Sequence, residues 1–263
     1  MTRFSDSKAC LWRAEAERFD RMLEPYGSRL IDAAGLASGD RMLDIGCGAG
    51  ATTLHAAAIV TPGGTATGID CNPSMIELAA QRADNQDNVA FICADAASHR
   101  YAPSFDAVIS RFGMMLFPEP EQAFTHICAS ARPGGSVTYT TWTRPRANAW
   151  HTLSYRALGV PVIEEPRGPF ALSDPDTNAR LLKLAGCIDI EIQTLETDVW
   201  VGTDVADALE FFRGSLNGYV PNGTDLNAAV DRARPLLADH ATPSGIYLPS
   251  VALLCHATRS ARK

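Results

Sequence analysis

Residues 43–50 read LDIGCGAG, with glycines at 46, 48 and 50 and an acid, Asp44, two residues before the first of them. Glycine tolerates positive φ and carries no side chain, so such a run lets the backbone come into contact with a bound group. A helix opening directly after it adds N–H groups that have no partner within the helix. Two further acids recur at matching places. Asp70 closes the run TATGID, and Asp95 follows VAFIC in the tetrapeptide CADA (93–96). If each run is a strand of one parallel sheet, the three carboxylates meet at its carboxyl edge, where open sheets of this kind take up ligands. Of the six histidines, His151 follows the fifth apolar run and is the candidate for proton transfer.

The elements needed to position these residues can be read from the apolar pattern. Strands are expected at Arg41–Ile45, Thr65–Ile69, Val89–Cys93, Phe105–Ser110 and Ser136–Trp142, with helices between them at 51–59, 73–82 and 119–131. The last of these helices is expected to stop at ArgProGlyGly (132–135). This alternation predicts an α/β fold with a doubly wound, mostly parallel sheet and right-handed crossovers. Upstream, an amphipathic helix over residues 11–23 is expected to break at Pro25, with a second helix from Tyr26 to Ala34 ended by Gly35. Downstream, helices are expected at 149–158, after Asp174-Pro175, at 204–216 and at 225–239. A strand over 188–201 and a closing strand over 245–258, kinked near Pro249, complete the reading. The chain thus divides into N-terminal helices (1–37), a ligand-binding core (38–142) and an acceptor side (143–263) within a single domain 1–263.

Composition narrows the classes of function. Thirty acidic against 23 basic residues give a net charge of -7, which disfavours a partner held through phosphates. No apolar stretch reaches the length of a membrane span, and the N-terminus lacks an apolar leader, so a cytoplasmic protein is expected. The seven cysteines are scattered without a CxxC pair, so neither a metal site nor a disulfide framework is expected.

Taken in order, LDIGCGAG, GlyIleAsp (68–70), AlaAspAla (94–96) and ArgProGlyGly (132–135) resemble the class I S-adenosylmethionine-dependent methyltransferases. SerArgPheGlyMetMetLeuPhe (110–117) and the segment 142–150 are similar to the branch related to ubiquinone and menaquinone methyltransferases. The resemblance covers roughly residues 40–142. It implies a Rossmann-like sheet of seven strands, the last antiparallel, with the N-terminal helices and the segments 143–173 and 203–243 as a lid. It also implies S-adenosyl-L-methionine as cofactor. Gly46, Cys47, Gly48 and Gly50 would wrap its methionine end, and Asp44 would meet its ammonium. Asp70 would accept from the ribose hydroxyls, and Cys71 or Met75 would face the adenine. Asp95 and Ala96 would meet the adenine edge, while Ser110 and Arg111 would floor the methionine portion.

Trp142, Asn148 and Trp150 are candidate walls of an acceptor pocket, with His151 as a candidate base. Methyl transfer from a sulfonium requires chiefly alignment and a dry site, so a strong base is not mandatory. The partner expected is a small, apolar or aromatic acceptor, with no nucleic acid; a homodimer stays open. Two rival readings stand beside this one. A nicotinamide-dependent oxidoreductase would use Gly46, Gly48, Ala51 and Asp70, although Asp44 would repel its pyrophosphate. A binder of the same cofactor could instead perform a cyclisation or a regulatory task.

Overall fold

A computed structural model describes residues 6–84, 86–101, 104–216 and 225–261. The first five residues, part of the expected lid segment 203–243 and the last two residues lie outside the described residues. Eight strands form one sheet: β1 (Arg41–Ile45), β2 (Thr65–Asp70), β3 (Val89–Cys93), β4 (Phe105–Arg111), β5 (Ala131–Trp142), β6 (Cys187–Gly202), β7 (Ala241–Thr242) and β8 (Gly245–Arg259). Their order is β3-β2-β1-β4-β5-β8-β6, with the two-residue β7 paired to β8. β1 to β5 pair in parallel, whereas β8 runs antiparallel to both β5 and β6. The seven expected strands are therefore present, joined by the short β7, and β8 is the reversed one.

The order turns back at β1: β2 and β3 lie to one side of it, β4 and β5 to the other. Right-handed crossovers then put the helices of the two halves on opposite faces, and the loops after β1 and β4 part to leave a crevice. Helices α3 (Ala51–Val60) and α4 (Pro73–Ala83) pack on β1, β2 and β3, while α5 (Pro120–Cys128) and α7 (Pro175–Leu184) pack together against β5 and β6. The N-terminal helices α1 (Asp6–Ala14) and α2 (Ala16–Ala34) precede the sheet. α2 lies across β4, β5 and β6. In the C-terminal part of the chain, α9 (Leu226–Ala238) packs on both α6 (Ala149–Leu158) and α8 (Val205–Leu216), which pack on β8 and β6 respectively.

Three expectations need correction. α2 runs unbroken through Pro25, and the break comes at Glu15 instead. Burial of Met22, Leu23, Tyr26 and Leu30 along one face outweighs the hydrogen bond that proline forfeits. ArgProGlyGly does not end α5: that helix stops at Cys128, and residues 132–135 lie inside β5, at a register shift opposite Phe105 and Ala107. Extra residues on one strand form a bulge, which glycine and proline favour. Pro249 does not interrupt the register of β8 with β6, because β5 ends its pairing at Ala252 and leaves that stretch one neighbour only.

Candidate functional site

The crevice is lined by the acids that the strand ends carry to it. Asp44 is 1% exposed. Its Oδ2 accepts from Thr53 Oγ1 at 2.7 Å, whereas Oδ1 has no hydrogen-bond partner among the described residues. Burial pushes its carboxyl up to about 7, opposed by the Thr53 hydrogen bond and the nearby Arg111 guanidinium. A buried oxygen without a donor is costly, and it marks a place where a ligand donor belongs. Asp70 is nearly buried and accepts one backbone N–H on each oxygen, from Gly48 at 3.0 Å and Asn72 at 2.9 Å. Burial raises its carboxyl as well. A carboxylate has room for about four donors, so Asp70 keeps acceptor capacity toward the crevice.

The glycine turn is shaped by what lies behind it. A Cβ on Gly50, at φ +83°, would stand 2.7 Å from the Phe91 ring, so only glycine lets α3 start this close to β3. The N–H groups of Gly46 and Cys47 both bond Ile69 O, that of Gly48 bonds Asp70, and that of Gly50 bonds Cys47 O. With these donors turned inward, the turn is a poor holder for a pyrophosphate and a good one for a ligand that approaches through its carbon surface. Cys47 is buried beneath the turn. Met75 packs with Ala49 and Ala16, while Cys71 is half-buried. Asp95 accepts from Ala97 N at 2.9 Å, so part of its capacity goes to its own turn. Ala96 is buried, and its carbonyl accepts from Tyr101. Ser110 donates to Ile45 O at 2.7 Å and accepts from Gly113 N, which ties the end of β4 to the end of β1.

α1 and α2 close over this crevice. Arg13 bonds Ser74 O and reaches Glu77 at 3.0 Å, both on α4. Asp20 on α2 bridges Arg82 at 2.7 Å and Arg111 at 3.3 Å, and Arg82 also donates to Ala49 O in the glycine turn. The Arg111 side chain runs under α2 at Gly27, where a Cβ would stand 3.4 Å from its Nη1. Beside it a cavity of about 480 Å³ opens between α2, the start of α3 and the ends of β6 and β8. Asp20, Arg21, Thr52, Arg111, Trp200 and Tyr247 line it.

Next to the crevice stands a wall of rings. Phe112 stacks on Trp142 at 3.9 Å, and Tyr26 meets both edge-on at 5.2 Å. Trp150 continues from Trp142, and His151 sits among Trp150, Tyr155 and Phe170. Burial pulls the His151 imidazole down to about 4, so it is neutral at ordinary pH. The Trp150 indole N–H and the Tyr26 hydroxyl are buried without hydrogen-bond partners among the described residues. Asn148 is fully buried behind this wall, engaged with Ser250 Oγ, Val251 N and Arg144 O. Phe112 has φ +61°, an uncommon backbone state for an aromatic residue.

Sequence reasoning passed over Asp20, Arg82, Tyr26 and Phe112. Tyr26 could have been found on the apolar face of α2; the other three carry no local signal. Among the described residues, no group of three or more His, Cys, Asp or Glu is placed to hold a metal, and no helix is long and apolar enough to cross a membrane.

Comparison with known proteins bears directly on this crevice. Residues 42–135, which hold the glycine turn and the ends of β1 to β4, match the model of a methyltransferase domain. The chain thus carries a match to a methyltransferase domain over its glycine turn and the strand ends beside it. Aklanonic acid methyltransferase DauC of Streptomyces sp. (strain C5) is 34% identical over 120 residues, 44% of this chain and 54% of that relative. The chain thus spans about half the length of that relative. Nocamycin O-methyltransferase of Saccharothrix syringae is 28% identical over 221 residues, covering 78% of this chain and 77% of its own. Among solved structures, phosphoethanolamine N-methyltransferase 2 of Haemonchus contortus, in complex with S-adenosylhomocysteine, superposes with a TM-score of 0.64. It is 18% identical and covers 99% of this chain and 61% of its own. That likeness is one of fold.

Proposed function

We propose that this protein binds S-adenosyl-L-methionine in the crevice beneath α2 and transfers its methyl group to a small organic acceptor laid against the aromatic wall. The observation that carries the reading is the bare Oδ1 of Asp44, buried beside a glycine turn whose Gly48 N–H bonds Asp70. An ammonium satisfies that oxygen and favours the ionised carboxylate, whereas a pyrophosphate does neither. Asp70 would accept from the ribose hydroxyls, and Met75 and Cys71 would lie along the adenine, with Asp95 and Ala96 at its edge. The cofactor supplies an electrophilic methyl carbon on a sulfonium.

What the chain adds is position and dryness. α2 lies over the crevice, and Phe112, Trp142 and Trp150 offer an apolar surface on which an aromatic acceptor can stack. The names of the aklanonic acid and nocamycin relatives support a small-molecule acceptor. His151 is the one imidazole beside this wall, and in its neutral form it can take a proton from an acceptor hydroxyl.

Thermal melts with S-adenosylmethionine, S-adenosylhomocysteine, NAD and NADP test the cofactor. At about 100 times its dissociation constant, a true ligand adds roughly 2.7 kcal/mol, a rise of several degrees. Stabilisation by the two adenosyl compounds alone is expected; a response only to the nicotinamide nucleotides would overturn the reading. His151→Phe should then leave cofactor binding intact while lowering turnover of a hydroxyl acceptor.

A further inference from the structure

We propose that Asp20 is a built-in stand-in for a ligand carboxylate: it holds the Arg111 guanidinium until an α-amino-acid end enters the crevice, and is then displaced from it. This rests on the cofactor reading above and deepens it at one subsite. Asp44 presents a bare buried oxygen suited to an ammonium, and Arg111 is near enough to favour its ionised form. In an α-amino acid the ammonium and the carboxylate hang from one carbon. A buried acid with an arginine close by is therefore a matched pair for that end.

Arg111 is engaged while it waits. Its Nη2 lies 3.3 Å from Asp20 Oδ1, and the other oxygen of the same carboxylate takes Arg82 at 2.7 Å. The unequal distances make Arg82 the anchor and Arg111 the contact that is easily exchanged. Asp20 and Arg111 both border the open cavity, which is also lined by Ala51 and Thr52 at the start of α3, the helix whose Thr53 bonds Asp44. An arriving carboxylate thus has a route to the guanidinium. Once there it stands against Asp20, and two carboxylates competing for one arginine repel each other. Asp20 yields Arg111 and keeps Arg82, so α2 loosens from β4 while it stays clasped to α4. Entry of the ligand and release of the strap become one event.

The test is calorimetric titration with two ligands, S-adenosylhomocysteine and its decarboxylated analogue, which keeps the amine and lacks the carboxylate. Wild type, Asp20→Asn, Arg111→Gln and Arg111→Lys are compared by the ratio of the two affinities within each protein, so a general loss of stability cancels. Arg111→Gln should weaken S-adenosylhomocysteine by roughly tenfold or more and the analogue far less, with Arg111→Lys between wild type and Gln. Asp20→Asn should tighten S-adenosylhomocysteine about two- to fivefold and leave the analogue unchanged. Protease cleavage within α1 and α2 should also quicken in Asp20→Asn without ligand. Equal changes for both ligands, or no gain in Asp20→Asn, would overturn the exchange and leave Asp20 a plain strap. Failure of the wild type to bind either ligand would overturn the cofactor reading itself.

Discussion

The acid-lined crevice and the aromatic wall lie side by side under the same helix and are built on opposite principles. The crevice is polar, and it costs the fold stability: Asp44 is buried with one oxygen bare, and burial raises Asp70 too. The wall is apolar, and it holds the fold together, with Tyr26, Phe112 and Trp142 in mutual contact at the top of the sheet. Residues kept at a cost to stability are those whose purpose lies in a partner. The difference therefore separates the groups that await a ligand from those that shape the space around it.

The strongest consequence sets the wall against the crevice. Trp142→Ala removes a ring that is 5% exposed and stacked on Phe112, and large-to-small changes of this kind cost about 3–5 kcal/mol. Urea unfolding measures it. A loss below about 1 kcal/mol would mean that the rings are loosely packed and that the contrast is false.

Asp44→Asn should do the reverse. Burial raises the Asp44 carboxyl to about 7 in the folded protein, well above the ordinary carboxylate range. The folded state therefore holds its proton more tightly than the unfolded chain, and the benefit is whole below the unfolded value. It declines as pH rises through that range to about 7 and is gone above it. At pH 8 the substitution should thus raise stability, by a few kcal/mol at most, since each tenfold change in proton affinity is worth about 1.4 kcal/mol. The same change should weaken S-adenosylhomocysteine by about 1.5–3 kcal/mol, the usual size of a hydrogen bond to a charged group. Melting curves and titrations on one preparation give both signs; lost stability with unchanged binding would make Asp44 an ordinary core residue.

A smaller change separates geometry from packing inside the wall. Phe112 joins the two regions at φ +61°, the left-handed state that glycine adopts without strain. Both Phe112→Ala and Phe112→Gly lose the stack on Trp142, but glycine also relieves the backbone. The glycine variant should be the more stable of the two by about 1 kcal/mol, read as a difference in urea midpoints. The opposite order would show that the turn is not strained.

The two regions also differ in how far they can be read from the chain. Asp44, the glycines and Asp70 lie within one strand–turn–helix–strand stretch, where local pattern fixes both element and position, and β1 and β3 fall at the expected residues. The wall gathers residues 26, 112, 142, 150 and 170, which sequence spacing cannot bring together. Trp142 and Trp150 were legible because they flank the end of β5; Tyr26 and Phe112 were not. Pro25 shows the reason from the other side. A local rule predicts a break there, and burial of the α2 face against the sheet overrides it. Asn148 lay beside the expected pocket in sequence, yet its amide is turned away to clamp β8.

The mildest change tests whether the two regions act together. Arg18 on α2 reaches Asp207 on α8 at 2.6 Å and also donates to Val201 O, so the helix over the crevice is tied to α8 and the end of β6. The Arg18 hydrogen bond, with help from Thr203, holds the Asp207 carboxyl down to about 2. A lowered carboxyl contributes stability above its unfolded value, and that contribution fades as pH falls from there toward about 2. Both side chains are partly exposed, so solvent screening leaves only about 1 kcal/mol at neutral pH. Asp207→Asn should be less stable than wild type by that amount at pH 7, and the gap should close as urea unfolding is repeated toward pH 2. If α2 responds to both regions, the same variant should let protease cut α1 and α2 faster, and S-adenosylhomocysteine should slow the cutting again. Faster cutting that ligand does not slow would show that the strap from α2 to α8 works independently of the crevice.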